Sequence, residues 1–431
     1  MILFGSPILS IIIVFVILLI LRVPIAMSLG MTTIYGIHIS NLSFNMLAYN
    51  FSGAIASFPL LAIPFFVMAG VIMDKAELAK RIVKFIKLLV GPIPGGLAIA
   101  SVIVAIFWGA VSGSGPATVA ALGVILIPGM VKAEYDKDFS TAVISVSSGM
   151  AIIIPPSIAF IVYGMVANVS IGNLFIAGII PGVIVGLALI SAVFIISKKR
   201  GYKGEEWKSL KEIGIAFKDA FWGFLTPVII LGGIYTGVFT PTEAAAVAVF
   251  YAVFVGFVIY GTLDIKTLFN VGIEAAETTS VVMIVVACAS LFTWLGTNIG
   301  LINKASSFLL GFSNSAFMTL LLINVIILIS GMFIDPVSIY YVYLPILLPV
   351  IAEMGWNPVW FGVMMTVNLA VGQVTPPVAV NLYVGSNISG ISLEKLSREA
   401  IPLILAVLVA LIIIITLPEI TLFIPRILGI L

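Results

Sequence analysis

The sequence predicts an all-α, polytopic membrane protein assembled from two inverted repeats, and three observations lead there. Of its 431 residues 62% are hydrophobic and only 9% charged, whereas a soluble domain carries roughly a quarter charged residues. Apolar runs long enough to cross about 30 Å of hydrocarbon recur at 1–21, 179–197, 278–295, 317–334 and 401–417, and about eleven or twelve spans or half-spans are expected in all. Pro128, Pro155, Pro156 and Pro181 recur as Pro349, Pro376, Pro377 and Pro402, each 221 positions later. Gly164 with Gly385, Tyr135 with Trp356 and Phe139 with Trp360 keep the same offset, while Pro358 falls on Lys137. No alternating ten-residue strands appear, so helices are expected and not a barrel.

The first span lacks a small-residue cleavage site and is followed at once by others, as an uncleaved anchor would be. Next, Lys75, Lys80, Arg81, Lys84 and Lys87 mark an amphipathic helix along the membrane surface. Its counterpart 221 residues on, 296–308, holds Lys304 as its sole charge. Parallel repeats would place both surface helices on one side with similar charge, so the difference predicts inverted topology.

The run Trp108 to Thr118 then interrupts an apolar stretch. Gly109, Gly113 and Gly115 free the backbone, Ser114 is placed to cap a new helix and Pro116 fits its first turn. A helical hairpin with its tip inside the membrane is expected. A second break follows at Pro155-Pro156, where missing donors leave carbonyls without helical partners. Such backbone is tolerated at membrane depth only where protein or a polar cavity surrounds it.

Between the halves, 197–219 carries seven Lys or Arg against four acids, which makes this linker cytoplasmic. Thr240-Pro241-Thr242-Glu243 reads as a capping box. In the second half Asp335 occupies the place of Ser114 and Pro336 opens the helix, giving a second hairpin. Pro376-Pro377 repeats the second break. Four paired breaks rich in small and polar residues point to a site for a substrate and an ion between the repeats. The carboxylate of Asp335 at mid-span costs at least about 2.5–3.5 kcal/mol, so a role beyond capping is expected of it.

Several functions are disfavoured. Cys288 is the one cysteine and His38 the one histidine, so disulfide frameworks, thiolate metal sites and His-rich metal chemistry have no material. No H-E-x-x-H or clustered acids suggest an intramembrane enzyme. A net charge of +2 gives no sign of a nucleic-acid partner. Glu274 and Glu277, one turn apart, correspond to Gly53 and Ala56 in the first repeat and read as a solvated helix end.

Ser112-Gly-Ser-Gly-Pro-Ala-Thr, Ile154-Pro-Pro-Ser157, Phe239-Thr-Pro-Thr-Glu-Ala-Ala-Ala and Thr375-Pro-Pro-Val-Ala-Val-Asn381 together resemble the large membrane subunit of TRAP transporters, the DctM-like family, over nearly the whole chain. The resemblance implies an elevator-type transporter of the prokaryotic inner membrane, coupled to Na⁺ and needing no organic cofactor. It implies a cargo of organic acids, such as C4-dicarboxylates or sialic acids. A small membrane subunit of about four helices and a periplasmic substrate-binding protein are implied as separate partners. Carried over, a first Na⁺ site takes Ser112 and Ser114 with backbone at Gly149, Ala151, Ile153 and Pro156. A second takes Asp335, Gly331, Gly372, Thr375 and Pro377, and the substrate lies near Ser148, Asn368 and Asn381. Gly115-Pro116 departs from the family pattern, where Ser or another small residue is found, and so leaves a hydroxyl missing from the first tip. On this reading 1–90 and 222–310 are scaffold with surface arms. Residues 91–196 and 311–431 are transport parts, with hairpins at about 97–130 and 317–350, and 197–221 is the linker. The alternative is a stand-alone Na⁺-coupled or Na⁺/H⁺-exchanging transporter of related build, with Asp335 as proton carrier.

Overall fold

The computed structural model of the chain describes residues 6–313 and 315–430, so the first five residues of the predicted span 1–21 lie outside it. Among the described residues every regular element is helical. The first half runs α1 (Pro7–Ile20), α2 (Ile25–Ile39), α3 (Asn45–Ile55), α4 (Ala62–Lys75), α5 (Leu78–Val90), α6 (Gly96–Ser112), α7 (Gly115–Lys132), α8 (Lys137–Ser147), α9 (Ile158–Ala167) and α10 (Ile171–Arg200). The second runs α11 (Leu210–Tyr235), α12 (Pro241–Phe254), α13 (Ile265–Asn298), α14 (Leu301–Phe312), α15 (Ala316–Gly331), α16 (Pro336–Glu353), α17 (Pro358–Gly372), α18 (Val380–Ser389), α19 (Leu393–Thr416) and α20 (Pro418–Ile427).

The proline spacing translates directly into architecture. Under the offset of 221 residues α7 and α16 share both ends, and α5 with α14, α6 with α15 and α9 with α18 agree within two residues. Packing repeats reciprocally as well: α9 lies on α16 while α18 lies on α7, and α4 meets α12 while α13 meets α2. Each half therefore completes the other, and the buried core is continuous across both.

The halves part company at Pro59. It stands in a 3₁₀ turn, Phe58–Leu61, that separates α3 from α4. The equivalent residue is Ser280, and α13 runs through that place unbroken for 34 residues. A proline removes the amide donor and clashes one turn back, whereas serine permits the helix to continue.

Among the described residues eight helical stretches are long and apolar enough to cross a bilayer, and six shorter apolar helices of 10–17 residues accompany them. This exceeds the eleven or twelve expected, because breaks divide single crossings into separate pieces. Large apolar side chains form exposed stripes at four-residue steps, as with Phe317, Leu321, Val325 and Ile329 on α15. Such a face suits lipid and not water.

The surface helix predicted around Lys80 is α5, which buries Leu78, Ala79, Ile82 and Ile86 on one face. Arg81 pairs with Asp219 of α11 and lies 3.8 Å over the Tyr260 ring. The polar linker is shorter than 197–221. Helix α10 continues to Arg200 and stops at Gly201, whose φ of +74° suits glycine, and α11 starts at a Ser209–Glu212 capping box. The strap between them is fastened: Glu205 N–H donates to Gly91 O at 2.8 Å and its carboxylate pairs with Lys87 at 2.7 Å.

Candidate functional site

Each hairpin turns within a few residues, and the two tips use different chemistry. In the first, Gly113 adopts φ +62°, and Ser114 holds the N-cap position of α7 without a side-chain cap bond. Ser112 instead ties the turn together. Its hydroxyl is 2.7 Å from Thr118 Oγ1 and accepts from Ser114 N–H at 3.3 Å, while Thr118 Oγ1 donates to Ser114 O at 2.9 Å. In the second tip Asp335 caps α16 directly. One carboxylate oxygen accepts from Ser338 N–H at 3.0 Å and the other from Ser338 Oγ at 2.5 Å. The hairpins are thus the predicted ones, and Ser114 stands at the N-cap position as expected, but its side chain makes no cap bond.

Behind each tip a helix pair touches through backbone alone. A Cβ on Gly372 would stand 2.6 Å from the Gly331 carbonyl carbon, so α15 and α17 meet where neither has a side chain. In the first half a Cβ on Gly109 would stand 2.6 Å from the Cα of Ala151, one residue removed from the equivalent position. Real Cβ atoms do not approach so closely, which is why glycine occupies these places. The second break follows. Ser157 Oγ satisfies the Ile152 carbonyl at 2.6 Å, and Thr375 Oγ1 satisfies Val371 O at 2.6 Å. Pro155 and Pro156 are buried, whereas Pro376 and Pro377 are exposed. Both Pro-Pro peptide bonds are cis.

Both tips open on one cavity of about 1020 Å³. Ser112 and Ser114 line it from the first hairpin, Asp335 from the second, and Gly70 of α4 and Glu274 of α13 from the surrounding helices. Toward its charged end Lys75 bridges to Glu274 at 3.3 Å, and Glu77 pairs with Lys80 at 2.5 Å. The Lys80 ammonium holds the Glu77 carboxyl below its usual range.

The sequence-assigned residues distribute unevenly. Ser112 and Ser114 come together, Gly331 and Gly372 touch, and Asp335 faces the same cavity. Gly149 sits near the second repeat, where its Cβ would lie 3.3 Å from Ala370 O. Ala151, Ile153 and Pro156 are buried, and Thr375 is half-buried beside exposed Pro377. None of the three substrate candidates lines the cavity. Ser148 Oγ donates to Ile144 O at 2.8 Å, and Asn368 Nδ2 donates to Asn324 Oδ1 at 2.8 Å. Asn381 is fully buried, with Nδ2 3.4 Å from Ser145 O. A residue the sequence reading passed over, Gln373, does line the cavity. Its signal was its seat between Gly372 and the Pro-Pro break.

Paired, internally duplicated hairpins meeting at one cavity in an apolar helical bundle define the class: a multi-pass transport permease. The family described as tripartite ATP-independent periplasmic transporter, DctM component, matches residues 12–420. The chain belongs to this family, whose members are transporters and not enzymes. It is 41% identical over 411 residues to the isethionate TRAP transporter permease protein DctMQ of Oleidesulfovibrio alaskensis, covering 95% of this chain and 65% of that one. Identity is 39% over 372 residues to the C4-dicarboxylate TRAP transporter large permease protein DctM of Pseudomonas aeruginosa, with 86% and 87% covered. It is 37% over 410 residues to the sialic acid TRAP transporter large permease protein SiaM of Vibrio cholerae, with 95% and 96% covered. In structure the chain is similar to the YdaH transporter of Alcanivorax borkumensis, with a TM-score of 0.61 over 96% of this chain and 98% of that one at 15% identity. That last likeness is one of fold.

Proposed function

We propose that this chain is the large permease subunit of a tripartite, Na⁺-coupled, binding-protein-dependent importer of organic acids in the inner membrane. The observation that supports it is the convergence of Ser112, Ser114 and Asp335, from two different hairpins, on one cavity. Na⁺ suits hydroxyl, carboxylate and carbonyl oxygens, which the tips and the breaks behind them supply. Ser112 and Ser114 with backbone at Gly149, Ala151, Ile153 and Pro156 form the first ion site. Asp335, Gly331, Gly372, Thr375 and Pro377 form the second.

The cargo is an organic anion such as a C4-dicarboxylate or a sialic acid, in line with the relatives' names. The broken segments contain no arginine, so neutral donors and helix N-termini hold the anion weakly enough for release. Tight capture falls to a periplasmic binding protein, and a small membrane subunit completes the complex. Cargo crosses as the transport parts, 91–196 and 311–431, move against the scaffold parts, 1–90 and 222–310.

Proteoliposomes holding the full complex test this. Labelled succinate, N-acetylneuraminate or isethionate should enter only with the binding protein and an inward Na⁺ gradient. Uptake that persists when choline replaces Na⁺ rejects the coupling. Orientation is checked separately: a cysteine at Lys84 should react with an impermeant maleimide from the cytoplasmic side alone.

A further inference from the structure

The duplication supplies an internal control on the cavity. Whatever binds twice, once per repeat, needs positions that correspond. A cargo molecule that binds once is read by positions that do not. Ile152 and Gln373 are equivalent under the 221-residue offset, and both line the cavity. One is a hydrocarbon and the other a primary amide.

Gln373 is only 6% exposed, and its Oε1 has no hydrogen-bond partner. Ser112 binds Thr118 and both Asp335 oxygens take Ser338, so of these tip groups the Ser114 hydroxyl alone shares the freedom of the Gln373 amide. A buried amide left unpaired is costly unless something else completes it. Backbone geometry fixes where the amide points. Gln373 caps α17, and its carbonyl accepts from Asn381 N–H at 3.2 Å, closing the loop around the second Pro-Pro break. The side chains at the two ends of that loop converge on the first hairpin. A Cβ on Gly115 would lie 2.9 Å from Gln373 Oε1 and 2.8 Å from Asn381 Oδ1, itself unpartnered. Gly115 opens α7, whose N-terminal amides add a positive dipole end at this spot.

The geometry points to Gln373 as a specificity-determining residue: its Nε2–H donates to a carboxylate of the anionic cargo at the α7 N-terminus and its unpaired Oε1 accepts from a cargo hydroxyl, with Asn381 positioned behind it. This rests on the transport reading above and adds the residue that selects the cargo.

The test measures half-saturation for Na⁺ and for succinate, N-acetylneuraminate and isethionate in the reconstituted complex, with Gln373→Met and Gln373→Glu beside the wild type. Folding is checked by the Na⁺-induced rise in melting temperature of the detergent-solubilised complex. Gln373→Met should weaken the preferred anion about tenfold or more, the loss of one hydrogen bond to a charged group. It should change the order of preference among the three while Na⁺ half-saturation stays within about twofold. Gln373→Glu, of equal shape but like charge, should lose more. An unchanged order in both variants overturns the assignment, as does a parallel fall in Na⁺ and anion affinity. A wild-type complex that takes up none of the three anions overturns instead the transport reading beneath it.

Discussion

The two hairpin tips do one mechanical job with different materials. The first closes on hydroxyls, Ser112 and Thr118, and carries no formal charge. The second closes on the carboxylate of Asp335. Their frames are alike, since α7 and α16 begin and end at equivalent residues. The break behind the first is buried, and the break behind the second is exposed at Pro376 and Pro377. Duplication preserved the geometry that frees backbone oxygen, while end-group chemistry and solvent access drifted apart. The lesson is that the halves are interchangeable as scaffolds but unequal as binding surfaces.

That contrast can be attacked, beginning with the largest effect. Asp335→Ala should lower Na⁺-driven uptake roughly a hundredfold, because each hydrogen bond to a charged group is worth about 1.5–3 kcal/mol. The protein should still be extracted as a folded complex; near-normal Na⁺ dependence in this variant removes Asp335 from the ion site. Gly372→Ala forces a methyl onto the Gly331 backbone, and Gly109→Ala does the same against Ala151. Each should cost about 1–3 kcal/mol of stability, read as a lower melting temperature. Melting temperatures equal to wild type contradict the close approach. Ser112→Ala should raise Na⁺ half-saturation roughly fivefold, in keeping with about 1 kcal/mol for a neutral hydrogen bond. An effect as large as that of Asp335→Ala erases the asymmetry of the tips. The smallest change is expected at a cap far from the cavity: Thr240→Ala breaks the capping box with Glu243 and should cost about 1 kcal/mol of stability, with Na⁺ dependence untouched.

Much of this was legible in the sequence because prolines, glycines and capping residues act locally. Pro116, Pro336 and both Pro-Pro pairs marked helix starts and breaks that the structure contains. Thr240 and Glu243 signalled their box through spacing alone. The Ser209–Glu212 box is equally readable by its spacing and marks where the polar strap gives way to α11. What sequence could not convey depends on distant neighbours. Ser114 holds the cap position but its hydroxyl makes no cap bond, and the turn is tied instead by Ser112 and Thr118. Asn368 looked available, but Asn324 from another helix already holds it. Gln373 was inconspicuous until its amide was found unpaired beside Gly115.

One consequence follows from the uninterrupted α13. At 1.5 Å per residue its 34 residues make a rod of about 50 Å, set in an oily slab only about 30 Å deep. Such a mast must lean or stand proud of the surface, and its Asp264 end, with Lys266 and Glu274 nearby, carries the charge that tolerates water. A rigid antibody fragment gripping that protruding end would be mechanically coupled to the cavity wall, which Val281 and Val285 of the same rod help to line.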